Sequence, residues 1–253
     1  HRWPDTADAG RIRGLGAITK DWYENTDYAI TATSAISGVV FENCQYLCGT
    51  ENFLMALYED EDYVDALVDK MTELNIEMHL NYLKDIGDYC EWVEFTEDFA
   101  SQSGLLISPE LFRRFFKKGH IELFKAIKRQ HPNIKIWFHS CGSVRQLIPE
   151  LIDCGIDILN GLQPLARNMD SFELKKEFGD QVVFHGGIDI QHAVPGTLEE
   201  VEAEARTRIA AFAPGGGYIF APSNHIVGDV PNENFFKLYE SARQYGRYPI
   251  GGR

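Results

Sequence analysis

The feature that most narrows what this chain can fold into is a repeat of architecture. Short β-rich runs alternate with segments of helical period, the order expected of strand–helix units that build a parallel sheet. Six runs carry it: Ala29 to Val40, Cys90 to Phe95, Ile134 to Phe138, Asp157 to Leu159, Val182 to Phe184 and Gly217 to Phe220. Several are apolar on successive residues, as strands covered on both faces must be. Between them, Val64, Leu67, Val68, Met71, Leu74, Ile76 and Met78 recur at helical spacing within Asp62 to Ile86. Ser108-Pro109-Glu110 supplies a serine N-cap, a proline at the first helical position and an early carboxylate, followed by the stripe Leu111, Phe112, Phe115, Phe116. Val144 to Cys154 reads as a helix stopped by Gly155, and Thr197-Leu198-Glu199-Glu200 as a capping box opening a helix through Phe212. Gly186-Gly187 and Gly215-Gly216-Gly217 lack the strand, spaced-glycine and helix pattern of a phosphate cradle and read as turns.

At 253 residues the chain suits an α/β barrel folding as one domain over 1–253, with residues 1–22 as a polar, partly helical leader. The expected class is therefore α/β, a (β/α)8 TIM-type barrel. Eight strands close the standard barrel and six are visible, so the barrel is expected either to be irregular or to have its first strands upstream of His1. The net charge of −14 disfavours phosphate backbones and anionic lipid surfaces, so neither nucleic acid nor membrane is expected as a partner. A local basic pocket using Arg11, Arg13 or Arg167 stays open. Five cysteines at irregular spacing argue against a disulfide framework and for the reducing cytoplasm.

In parallel α/β architectures the chemistry gathers at the carboxyl ends of the strands. That rule nominates Glu94, Thr96, Glu97 and Asp98, His139 and Cys141, Asn160 and Gln163, His185 and Asp189, and Ser223-Asn224-His225. His139-Ser140-Cys141 is the most pointed, because an extended i, i+2 pair projects an imidazole and a thiol to one side, as two ligands of zinc would need. For an isolated pair, a hydrogen-bonded histidine beside a buried cysteine is the commoner arrangement. The adjacent carboxylates Glu97 and Asp98 could serve as base, substrate anchor or metal ligand, or form a solvated loop. His225 could act as acid, base or ligand. Cys44 and Cys48 lack a second pair nearby and read as packing residues.

Taken in order, Glu97-Asp98, Leu106-Ile107-Ser108-Pro109-Glu110-Leu111-Phe112, His139-Ser140-Cys141-Gly142, Gln163-Pro164, Phe178-Gly179-Asp180, Gly186-Gly187-Ile188-Asp189, Ala221-Pro222-Ser223-Asn224-His225 and Asp229-Val230-Pro231-Asn232-Glu233-Asn234 resemble the uroporphyrinogen decarboxylase family. The resemblance implies a (β/α)8 barrel and one of two chemistries. Decarboxylases of the family act on a tetrapyrrole without metal, using N-terminal arginines and an aspartate motif that this sequence does not show. Zinc-dependent relatives move a methyl group from a corrinoid protein, using a His-x-Cys pair and a later cysteine. His139 and Cys141 match the pair, while Ser223-Asn224-His225 stands where the later cysteine is expected.

The resemblance thus favours a zinc-dependent methyltransferase that takes its methyl group from a corrinoid such as methylcobalamin. His139 and Cys141 would bind metal, Asp98, His139 and His225 would be catalytic, with His225 a candidate third ligand, and Glu97, Gln102, Asn160, Gln163 and Asp189 would contact substrate. The alternatives are a metal-independent decarboxylase of a tetrapyrrole, with Asp98 and His225 managing protons, and a non-catalytic binding or assembly partner. A small-molecule substrate, a corrinoid protein and a homodimer are the partners considered.

Overall fold

A computed structural model describes residues 2–250. Each of the six runs overlaps a strand, and all but the first strand extend past the carboxyl end of the run: β1 Thr31–Ala32, β2 Trp92–Thr96, β3 Lys135–Ser140, β4 Ile158–Gly161, β5 Val183–Ile188 and β6 Tyr218–Pro222. Helices separate them, so the fold is α/β. The chain divides into two compact units. One comprises the chain up to Glu97 with Ile107–His139 and Pro149–Ile156; the other comprises Asp98–Leu106, Ser140–Ile148 and the chain from Asp157 onward.

In the first unit β1, β2 and β3 pair in parallel, with Val93 beside Ile136, Phe95 beside Phe138 and Thr96 beside His139. Side chains of a strand alternate between faces. Along β2 and its continuation Val93, Phe95, Glu97 and Phe99 are buried, while Trp92, Glu94, Thr96 and Asp98 are half-buried. The buried face meets the helix Lys117–Gln130, whose Phe124 ring lies 5.1 Å from Phe95 and 6.2 Å from Phe138. Fully burying one such ring contributes about 1.5–3 kcal/mol.

The first run, expected to be extended over Ala29 to Val40, forms only two residues of strand. Beyond Ala32 the backbone is held by side chains instead of a ladder. The Ala35 N–H donates to His79 Nε2 at 3.2 Å, and the His79 Nδ1–H donates to the Asn75 carbonyl at 2.8 Å. That bonding requires a neutral ring, and burial pushes the His79 pKa down to about 4.

The helix starts follow the sequence closely. Ser108 accepts the Leu111 N–H with Pro109 at the first position, and the Thr197–Glu200 capping box is complete. Two helices depart from simple continuity. Phe112–Phe116 is wound as a π segment, and the stretch from Val144 begins as a 3-10 turn, Arg145–Leu147, before the α-helix Ile148–Cys154. Pro149, which has no N–H to give, sits in the first turn of that helix, where none is needed.

In the second unit β4, β5 and β6 also run parallel, with Asn160 beside His185 and His185 beside Ile219. Gly186 and Gly187, expected in a turn, lie inside β5, with φ of 107° and 84°. A Cβ on Gly186 would come within 3.0 Å of the Gly161 carbonyl oxygen and 3.2 Å of that of Pro222, so the flanking strands leave room only for backbone. Ile188, Val194, Val201, Ala205 and Leu238 form one buried cluster in this unit. Among the described residues no helix is long and apolar enough to cross a membrane.

Candidate metal centre at the strand ends

The register that sets Thr96 beside His139 carries two residues further, where the Cys141 N–H donates to Asp98 Oδ1 at 2.7 Å. Strand alternation sends Asp98 to the Thr96 face and its neighbour Glu97 to the opposite one. The ligand atoms of Asp98, His139 and Cys141 lie within 4.8 Å of one another, each on a half-buried residue. His139 is steadied from below by Trp137, two residues back on the same face, whose ring is stacked with it at 6.1 Å and 17°.

The turn after Cys141 depends on Gly142, with φ of 79°. A Cβ there would run into the Ser101 carbonyl oxygen, which accepts the Ser143 N–H at 2.8 Å. The Gly142 N–H donates to Gln163 Oε1 at 2.9 Å, and Gln102 Nε2 donates to the same oxygen at 2.8 Å. One amide oxygen thus ties together the segments that follow β2, β3 and β4. It is aimed by Leu162, a buried residue with φ of 55°, and such left-handed backbone away from glycine is kept where surrounding structure over-determines it. Asn224, after β6, donates from Nδ2 to Cys141 Sγ at 3.1 Å and accepts the His225 N–H at 2.7 Å.

The remaining nominated residues are placed differently. Glu97 is fully buried; Oε1 accepts the Val40 and Glu42 N–H groups at 2.6 and 3.1 Å, and Oε2 lies 2.7 Å from His120 Nε2. Asn160 lies within β4 and is bonded to His185 through Nδ2. Asp189 caps the turn after β5, its carboxylate accepting the N–H groups of Gln191, His192 and Ala193. The His225 side chain is exposed and is not one of the three clustered donors; Asp98 takes the third place. Sequence reasoning passed over Trp137 and nominated Asn224 only as a strand-end residue, without a partner. The i, i+2 spacing of Trp137 and His139 was a usable signal, whereas nothing in the order of residues pairs Asn224 with Cys141.

A thiol, an imidazole and a carboxylate are a donor set that zinc accepts, and catalytic zinc sites typically use three protein ligands and leave a fourth position open. The residues present therefore fit that ion.

The sequence profile described as Uroporphyrinogen decarboxylase (URO-D) matches residues 26–245. The chain is 26% identical over 200 residues to the Methylcobamide:CoM methyltransferase MtaA of Methanosarcina barkeri, covering 79% of this chain and 54% of that protein. It is 26% identical over 146 residues to the Uroporphyrinogen decarboxylase of Vesicomyosocius okutanii subsp. Calyptogena okutanii, covering 57% of this chain and 40% of that one. The chain thus spans about half the length, or less, of these curated relatives. A solved structure, a methyltransferase from Methanosarcina mazei, superimposes with a TM-score of 0.70 at 20% identity over 91% of this chain and 63% of that one, a likeness of fold. With the profile running from before β1 to the last turn of the final helix, Asn232–Tyr245, the chain belongs to the uroporphyrinogen decarboxylase family.

Proposed function

We propose that this chain carries the zinc-binding centre of a methyltransferase that takes a methyl group from a corrinoid and gives it to a small acceptor. The observation that carries the reading is the convergence of Asp98, His139 and Cys141, because a sulfur, a nitrogen and an oxygen donor within 4.8 Å suit zinc. Similarity to the methylcobamide methyltransferase of Methanosarcina barkeri supports the corrinoid part. The six strands are read as the larger part of a (β/α)8 barrel, in keeping with the fold of the Methanosarcina mazei enzyme.

His139, Cys141 and Asp98 would hold the ion, which when bound would lower the pKa of a coordinated thiol or water and give a nucleophile near neutral pH. Asp98 at the same time fixes the Cys141 backbone. Gln102 and Gln163, joined to each other and to Gly142, would orient the acceptor, and the exposed His225 would carry a proton to or from it. Asn160 would face substrate from β4. The carboxylates of Glu97 and Asp189 already accept backbone N–H groups, so we assign them to holding loops rather than touching substrate. The setting is taken to be the cytoplasm.

The similarity to the decarboxylase of Vesicomyosocius okutanii favours a second reading, in which Asp98 and His225 manage protons and metal is unnecessary. Elemental analysis after zinc reconstitution separates the two. Stoichiometric zinc that is lost in Cys141→Ser, with methyl transfer from methylcobalamin to a thiol, is the expected result. Wild-type protein that takes no zinc sinks the methyltransferase reading, and turnover of uroporphyrinogen by metal-free protein would establish the second.

A further inference from the structure

We infer that Asn224 is a positioning residue of this centre, donating a hydrogen bond to the Cys141 sulfur and thereby setting how strongly that sulfur binds metal. The inference rests on the metal-binding reading above and adds a residue to it. Three observations carry it. The Asn224 Nδ2 atom lies 3.1 Å from Cys141 Sγ, a short separation for a bond to sulfur. The amide cannot be turned over, because its oxygen accepts the His225 N–H at 2.7 Å, which leaves only the NH2 group to face the sulfur. The backbone beneath it is anchored, since the buried Ser223 donates its N–H to the Ile188 carbonyl at 3.1 Å and β6 is in register with β5 up to Pro222.

Cys141 is therefore gripped at two points, its backbone by Asp98 and its sulfur by Asn224. The bond to sulfur restrains the rotamer that presents it beside Asp98 and His139 and draws electron density from it. Partners of this kind, one bond removed from the ion, typically change metal affinity by about 10- to 100-fold when deleted.

The test uses the whole chain loaded with cobalt(II) as a spectroscopic probe, together with zinc competition against a chromophoric chelator. Asn224→Ala should weaken zinc binding by about 10- to 100-fold and move the sulfur-to-cobalt charge-transfer band to lower energy, because the sulfur loses a bond that withdraws electron density. Asn224→Asp keeps an acceptor for the His225 N–H but replaces the donor with an anionic oxygen that pushes electron density toward the sulfur, so its band should move the same way. The thermal transition of each variant without metal reports whether the fold is intact. If wild type binds cobalt and both variants keep its band energy and affinity, the role of Asn224 is overturned while the metal reading stands. Loss of affinity with unmoved bands in both variants also overturns it, since a purely structural loop residue would behave so. Wild type that binds neither ion overturns both proposals.

Discussion

Glu97 and Asp98 are bonded to each other, yet they serve two different regions. Around Glu97 every polar partner is internal: two backbone N–H groups, Val40 and Glu42, meet one carboxylate oxygen and the buried His120 meets the other. His120 in turn donates from Nδ1 to the Phe116 carbonyl at 2.9 Å and is surrounded by the rings of Phe112, Phe124 and Phe138. Around Asp98 the donors and acceptors stand on half-buried residues, and three of them gather as ligands would. The difference teaches that acid–histidine pairs in one short stretch divide by strand parity. The face that meets the helices uses the pair to stabilise the fold, and the face that continues Thr96 and His139 keeps its groups within reach of a ligand.

The sharpest way to break that contrast is to delete one member from each region. His139→Ala or Cys141→Ser should abolish stoichiometric zinc and methyl transfer, while the unfolding free energy of metal-free protein stays within about 0.5 kcal/mol of wild type, as for substitutions outside the core. Elemental analysis and urea titration read the two quantities. Glu97→Ala should do the reverse. It strips a buried histidine and two backbone N–H groups of their partner, so stability should fall by about 3–5 kcal/mol with zinc per folded molecule unchanged. A Glu97→Ala protein of normal stability that no longer binds zinc would erase the distinction.

A third measurement sharpens the buried side. His79, held neutral by burial with its pKa near 4 against an ordinary 6.5, leaves the unfolded chain binding a proton that the folded chain refuses between those values. Stability from this group is complete above pH 6.5 and is lost progressively toward pH 4, by roughly 3 kcal/mol. Urea titrations at pH 7, 5 and 4 should show that slope, and His79→Gln should flatten it; an equal slope in the variant would assign acid sensitivity elsewhere. The smallest effect is expected at Gly142. Gly142→Ala places a Cβ at φ of 79° against the Ser101 carbonyl, costing about 1–2 kcal/mol by thermal unfolding and displacing Cys141 enough to weaken zinc binding. Unchanged stability and unchanged zinc affinity would show that the turn can relax.

Much of the scaffold was legible from local pattern. The six strand positions, the Ser108 and Thr197 helix starts and the burial of Met71, Met78, Phe112 and Phe116 all follow from periodicity and capping, which act within a few residues. The run Ala29 to Val40 misled because its apolar residues are satisfied by His79 and Glu97, partners 40 or more residues away, and not by a long ladder. Gly186-Gly187 misled because crowding by neighbouring strands, and not a chain reversal, demands glycine there.

At the site, the sequence by itself determined that His139 and Cys141 share a face, because an i, i+2 relation in extended chain at a strand's end is a local property. It also carried the family, through an ordered set of segments that the matching profile spans. Only tertiary structure decided that Asp98, and not His225 or Glu97, joins them, and that Asn224 faces the sulfur. The physical reason is distance along the chain: the β2–β3 register brings Cys141 to Asp98 across 43 positions, Asn224 reaches Cys141 across 83 from the segment after β6, which pairs with β5, and neither composition nor period encodes such pairings.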